Sequence, residues 1–247
     1  MKLAVMQPYF FPYIGYFQLL NFVDKWVVFD DTQFINKGWI NRNRILHPEI
    51  NKEWQYITIP LKNRKQTDRI DNIEIFESGK WKKEILGKLS AYRKKAPFYN
   101  NVLALIKECL SFKETNLSKF VVHTLQLTAD YLSIKTPMCI QSHLHFDLSC
   151  IDHPGQWVLR IAEQIGATEY INPHGGAKIY REDEFDRSGI NLRFLKPKLR
   201  SYSQQQTPFI PGLSVIDVMM WNSVNEIKEV FLQDFSIVKK SDLSANR

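Results

Sequence analysis

The sequence predicts an α/β fold: a parallel-type sheet that starts with a βαβ unit, with a central helical block added to it. Three observations predict this. The apolar run Leu3-Ala4-Val5-Met6 is followed by apolar residues at helical spacing (Ile14, Phe17, Leu19, Leu20) and then by the apolar run in "KWVVFD", Lys25 to Asp30. Strand, helix and strand within about 30 residues is the span of one βαβ unit, whose strands are parallel. Strand-like and helix-like segments alternate again after residue 137, while residues 79–132 interrupt the alternation with three successive helical patterns.

The elements follow in order. Pro8 and Pro12 forbid a regular helix or central strand between them. Gln7 to Gly15 is therefore expected as the loop at the carboxyl end of the first strand. "EWQYITIPL" (Glu53–Leu61) alternates like a strand, and Ile70–Phe76 is a further strand candidate. Helices are expected over 79–95, 98–111 and 117–132; Pro97 separates the first two and Asn116 is a cap candidate for the third. In the first of them Trp81, Ile85, Leu89 and Tyr92 form an apolar stripe. "MCIQSHLHF" (138–146) is a strand candidate. His153–Ile165 is helical, capped by Asp152 and closed by Gly166. "TEYINP" is another strand, leading into "HGGAKIY". Ser214 and Ser223 open capping boxes, which makes them helix starts and not nucleophiles.

Length bounds the organisation. A chain of 247 residues with no internal repeat, low-complexity tract or linker is expected as a single domain, 1–247, with the helical insertion at about 79–132. No stretch approaches the roughly 20 apolar residues of a membrane helix, and the N-terminus has no signal-peptide pattern, so a cytoplasmic chain is expected. Three widely spaced cysteines fit reduced thiols better than a disulfide frame. The charge of +7 fits nucleic acid or a phosphorylated small molecule. Lys80, Lys82, Lys83, Lys88, Arg93, Lys94 and Lys95 share one predicted helix, which reads as a solvated face. With no nucleic-acid-binding signature, an anionic small molecule is the expected partner and nucleic acid is not.

The candidate site is expected where parallel sheets hold ligands, beyond the carboxyl ends of the strands. There the aromatic loop supplies Gln7, Tyr9, Tyr13 and Gly15, and the second strand ends in Asp30 and Asp31. "TQFINKGWINRNRI" adds Gln33, Trp39, Asn41, Arg42 and Asn43. These amides and guanidinium groups recognise polar anions, though Asn also serves turns. Arg42 is the expected anion contact. His174, after a strand and before two glycines, is a general-base candidate, with Asn172 and Tyr180 beside it as binding candidates. Asp30 and Asp31 complete the catalytic candidates. His143, His145 and His153 carry metal-ligand chemistry, but no ligand set is assigned, and no cofactor is read. No P-loop, G-x-G-x-x-G or G-x-S-x-G pattern is present.

"MQPYFFPYIGYFQLL", "VVFDDTQF" and "WINRNRI", continued by "GATEYINPHGGAKIY", "SYSQQ" and "FIPGLSVIDVMMWNS", resemble the WbqC-like protein family across nearly the whole chain. That family is associated with gene clusters for O-antigen and other bacterial surface polysaccharides. The resemblance implies a cytoplasmic protein acting on a nucleotide-linked amino sugar, by acyl-type group transfer, or a non-catalytic binding or scaffold protein of the same pathway. The first 35 residues are also laid out like a nucleotidylyltransferase-type fold, in which a His-x-Gly-His motif opens the first helix. Here that stretch is Tyr13-Ile14-Gly15-Tyr16. Neutral tyrosines cannot supply imidazolium charge, which puts adenylyl transfer in doubt.

Overall fold

The computed structural model describes residues 1–65, 67–205 and 208–244. In chain order the elements are β1 (Lys2–Met6), α1 (Ile14–Phe22), β2 (Lys25–Val28), β3 (Arg42–Leu46), β4 (Trp54–Thr58), α2 (Trp81–Lys88), α3 (Tyr99–Ser111) and α4 (Leu117–Tyr131). Then come β5 (Met138–Ile140), α5 (Pro154–Ile165), β6 (Glu169–Pro173), α6 (Glu182–Arg187), β7 (Asn191–Pro197), α7 (Val215–Trp221), α8 (Val224–Glu226), β8 (Phe235–Val238) and α9 (Lys240–Ser244). Six strands form one sheet in the order β5-β2-β1-β6-β7-β8, all parallel except β8, which runs against β7. The α/β class and the opening βαβ unit are as expected.

The sheet has apolar side chains on both faces, as a covered parallel sheet must. Ala4, Trp26 and Val28 pack on one face with α1, α3, α4 and α7. Leu3, Val5 and Val27 pack on the other with α5 and α6. The register β1 to β2, with Val5 opposite Val27, fixes this alternation. The predicted stripe Trp81, Ile85, Leu89 and Tyr92 is buried, but α2 gives way to a tighter turn at Leu89–Tyr92. Asn116 caps α4 by accepting from Lys119 N. Gly166 ends α5 with φ 74°. His153, not Asp152, caps α5: its Nδ1 accepts from Gly155 N.

Three segments differ from the sequence reading. Residues 42–46, for which no element was expected, are β3, paired antiparallel with β4 as a separate hairpin. The polar residues hide a strand alternation in which Asn43 and Ile45 are buried and Arg42 and Arg44 face the other way. Ile70–Phe76 is a short turn with isolated bridges, not a strand. The strand expected over 138–146 stops at Ile140, because Gln141–His143 turn away from the sheet. Among the described residues, no helix is long and apolar enough to cross a membrane.

Strand order positions the site. From β1 the chain moves outward to β2 and β5, then crosses back to β6 on the other side of β1. Because these strands are parallel, Gln7, Phe29, Gln141 and His174 all follow strand ends on one edge of the sheet. The order reverses between β1 and β6, and the loops above such a switch point are where open α/β sheets bind ligands.

Candidate functional site

The loop after β1 serves both core and cleft. Phe10, Phe11 and Tyr16 are buried, while Tyr9 and Tyr13 stay partly exposed. Phe11 has φ 41°, a conformation that costs an L-residue about 1–3 kcal/mol. Neighbouring groups hold it there. Asn43 Nδ2 donates to the carbonyls of Phe10 (3.1 Å) and Phe11 (3.0 Å), and Ser214 Oγ donates to Phe11 O (2.7 Å). Val215 N and Phe10 N bond Pro12 O and Trp39 O. The loop is thus pinned from β3 and from the start of α7. Gly15 has its own reason: a Cβ there would lie 2.4 Å from the Tyr13 ring, so only glycine lets that ring fold back onto α1.

The pinned loop forms one wall of a cleft of about 240 Å³ bordered by Tyr9, Pro12, Tyr13, Trp39, Asn43 and Arg44. Leu199 and Gly212 close its far side. Arg44 is half-buried, its guanidinium 5.3 Å from the Trp39 ring centre and 5.1 Å from that of Trp54. It has no carboxylate partner among the described residues, and its Nε is shielded and without a hydrogen bond. A cation held against two indoles and left unpaired is set up to receive an anion. Burial pushes the Tyr9 and Tyr13 phenols above their ordinary range, so both remain neutral hydrogen-bond donors. Trp39, 37% exposed, offers a ring face at the mouth.

The structure brings Tyr9, Tyr13, Trp39 and Asn43 together and separates the other candidates. Asp31 and Gln33 border a different cleft, beyond β2 and β5, with Arg69 and Gln141. Asn41 borders a third, beside Lys62 and Arg64, and donates to Ile59 O at 2.9 Å. Gln7 accepts from Tyr16 OH through its carbonyl. Arg42 faces inward on its own hairpin: it bonds the carbonyls of Lys37 (2.6 Å) and Gly38 (3.3 Å) and lies 4.4 Å over the Tyr56 ring. Asp30 is 2% exposed; its carboxylate accepts from Ser118 Oγ, Ser142 Oγ and Ser142 N. Asp31 pairs with Arg69 at 2.5 Å. Asn172 and Tyr180 are buried with Tyr170, both phenols within 3.2 Å of Asn172 Oδ1, and burial pushes Tyr180 up to about 12. His174 is exposed on the turn that follows β6.

Two residues that shape the cleft were not among the site residues expected from the sequence. Arg44 stands in the polar block around Trp39, but Arg42 was preferred as the anion contact; in the strand, alternation puts Arg42 and Arg44 on one face. Asp217, in α7, is fully buried and accepts from Tyr92 OH (2.8 Å), Tyr202 OH (2.5 Å) and Gln204 Nε2 (2.8 Å). It ties Tyr202 and Gln204, in the segment after β7 that carries Leu199, to the body of the protein. No local pattern signals it, because Tyr92 lies 125 residues away. Among the described residues no group of three or more His, Cys, Asp or Glu is placed to hold a metal ion.

Comparison with known proteins follows the same span. The model of the WbqC-like protein family matches residues 7–229. The chain is 27% identical over 220 residues to "Uncharacterized protein Rv1507c" of Mycobacterium tuberculosis, covering 88% of this chain and 92% of that protein. No solved structure matches it. With the matched span running from the aromatic loop through α7 and beyond, the chain belongs to the WbqC-like protein family.

Proposed function

We propose that the protein is an enzyme of bacterial surface-glycan assembly that binds a nucleotide-linked amino sugar in the Arg44 cleft and acylates it. The carrying observation is Arg44: unpaired, flanked by Trp39 and Trp54, and open to a cleft with two neutral phenols. A guanidinium of this kind suits a diphosphate, and the aromatic faces suit the rings of a base or sugar. In the transfer, the sugar amine bonds to the acyl carbon of an activated donor such as a thioester. The carbon–sulfur bond breaks, and the amine proton leaves with the thiol. The departing thiolate takes that proton; of the sequence-predicted acceptors, Asp31 borders the other cleft, His174 does not line the Arg44 cleft, and Asp30 is committed to Ser118 and Ser142.

A specific observation supports a second reading, a non-catalytic binding protein of the same pathway. Asp31 and Arg44 border different clefts. A thermal-shift screen of nucleotide sugars, followed by mass spectrometry of amino-sugar nucleotides incubated with acyl thioesters, separates the two. The enzyme reading expects a raised melting temperature and a product heavier by the acyl group less one hydrogen. A shift without mass gain favours the binding protein. No shift with any nucleotide sugar ends both.

A further inference from the structure

The cleft beyond β2 and β5 differs from the Arg44 cleft in every respect that decides ligand choice. It is larger, about 780 Å³, and lies within the ordinary range of small-molecule sites. Its guanidinium, Arg69, is already shared between Asp31 (2.5 Å) and Asp71 (2.6 Å), and Asp147 adds another carboxylate to the rim. A phosphate would meet two or three carboxylates and a cation already neutralised, so this cleft disfavours anions.

Gln141 is the unexplained group. It lines the cleft and is 2% exposed, with Nε2 turned to Asp31 Oδ2 at 3.5 Å. A carboxylate only accepts, so this contact fixes which way the amide faces. The opposite atom, Oε1, is sealed from solvent and has no donor among the described residues. An unmet buried acceptor costs about 1–3 kcal/mol. The contact to Asp31 accounts for one end of the amide; nothing in the packing accounts for the other. Opposite, Trp157 is half-buried with its ring tilted against Phe29, centres 6.3 Å apart, and borders the same cleft with Phe146.

We propose that this cleft is a second binding site, taking a neutral, hydroxyl-bearing ring of the pyranose type. A sugar hydroxyl both donates and accepts, so one ring can bond Asp31 and Arg69 and, once the Gln141 amide turns its sealed oxygen toward the cleft, supply the donor that oxygen lacks. The apolar face of a pyranose lies against an indole, as Trp157 offers. The inference stands on the chemistry of this cleft and does not require the Arg44 cleft to bind a nucleotide.

The test is saturation-transfer NMR on the full chain with methyl α-D-glucoside and with N-acetylglucosamine, beside melting curves. Transfer to ring protons of at least one sugar is expected. It should vanish in Trp157→Ala and weaken about tenfold or more in Gln141→Met, the loss of one hydrogen bond to a ligand. Free Gln141→Met should melt within a few degrees of the parent, because losing the long contact to Asp31 is offset by removing an unmet buried acceptor. Arg44→Ala should leave the sugar signal in place, which separates this site from the nucleotide reading. No transfer with either sugar overturns the proposal. So does transfer that survives both cleft variants, or that disappears with Arg44→Ala. A Gln141→Met protein that melts lower yet still takes sugar would show the amide to be structural, and would overturn it as well.

Discussion

Arg44 and Asp217 are both charge-bearing groups set among aromatic rings, and they are treated in opposite ways. Asp217 is sealed in and met by Tyr92, Tyr202 and Gln204. Arg44 stands against Trp39 and Trp54 with no carboxylate partner among the described residues. A buried polar group with all its partners specifies structure. One kept without a partner, beside a cleft, is better explained by a ligand. The difference divides the molecule into a part that builds the cleft and a part that uses it. Asp30 and Asp31, one residue apart, both have partners but differ in exposure: the first is buried on two serines, the second borders a cleft with Arg69.

The largest expected effect is on the side of structure. Asp217→Ala leaves two phenols and an amide without their acceptor, and urea denaturation should show a loss of about 3 kcal/mol or more. A loss under about 1 kcal/mol would mean that Asp217 does not hold Tyr202 and Gln204 in place. Asp217→Asn sharpens the point through pH. Burial raises the Asp217 carboxyl above its ordinary value of 3.8, against the opposing pull of its hydrogen bonds. A raised acid contributes stability that is present below the unfolded value and lost as pH rises through the folded one. Parent stability should therefore fall relative to Asp217→Asn as pH climbs above 3.8. Parallel curves would contradict the direction of the shift.

Arg42 comes next. Its bonds to Lys37 O and Gly38 O and its place over Tyr56 bind the hairpin to the preceding turn. Arg42→Ala should cost about 1 kcal/mol in a melting experiment, a partly exposed set of contacts. Its affinity for nucleotide sugar should stay within about twofold of the parent. A larger drop in affinity with unchanged melting would return the anion contact to Arg42.

The smallest effect lies far from both groups. Burial opposes ionisation of Glu184, but hydrogen bonds from His153 (2.7 Å) and Gln156 (3.2 Å), with Arg181 nearby, outweigh it and hold the carboxyl below its ordinary value of 4.5. A lowered acid stabilises above the unfolded value and loses that contribution as pH falls through the folded one. Glu184→Gln should melt slightly below the parent at neutral pH, and the gap should close in acid below 4.5. A gap that widens in acid would reverse the sign.

Much of the building part was legible from local pattern. Apolar runs, Asn116, Gly166 and the stripe from Trp81 to Tyr92 reflect periodicity and capping, which neighbours in sequence determine. That Tyr9 and Tyr13 border a cleft was legible because aromatics with Pro and Gly after a strand serve both core and loop. Arg44 was not, since a strand of Arg and Asn residues lacks the apolar alternation that marks strands. β7 was not read at all, and its neighbours β6 and β8 lie apart from it in sequence. Asp217 depends on Tyr92 and on Gln204, contacts that only tertiary folding creates.

The most direct measurement is a calorimetric titration of a nucleotide-linked amino sugar into the parent and Arg44→Ala, each beside a melting curve. Loss of a charge-assisted contact is expected to cost about 1.5–3 kcal/mol, a roughly tenfold to hundredfold weaker affinity. Because Arg44 has no ion pair to lose among the described residues, the free variant should melt within a few degrees of the parent. Arg44→Lys should recover only part of the affinity, a point charge in place of a fork. Unchanged affinity in a folded Arg44→Ala protein would contradict the claim that this cleft binds an anion through Arg44.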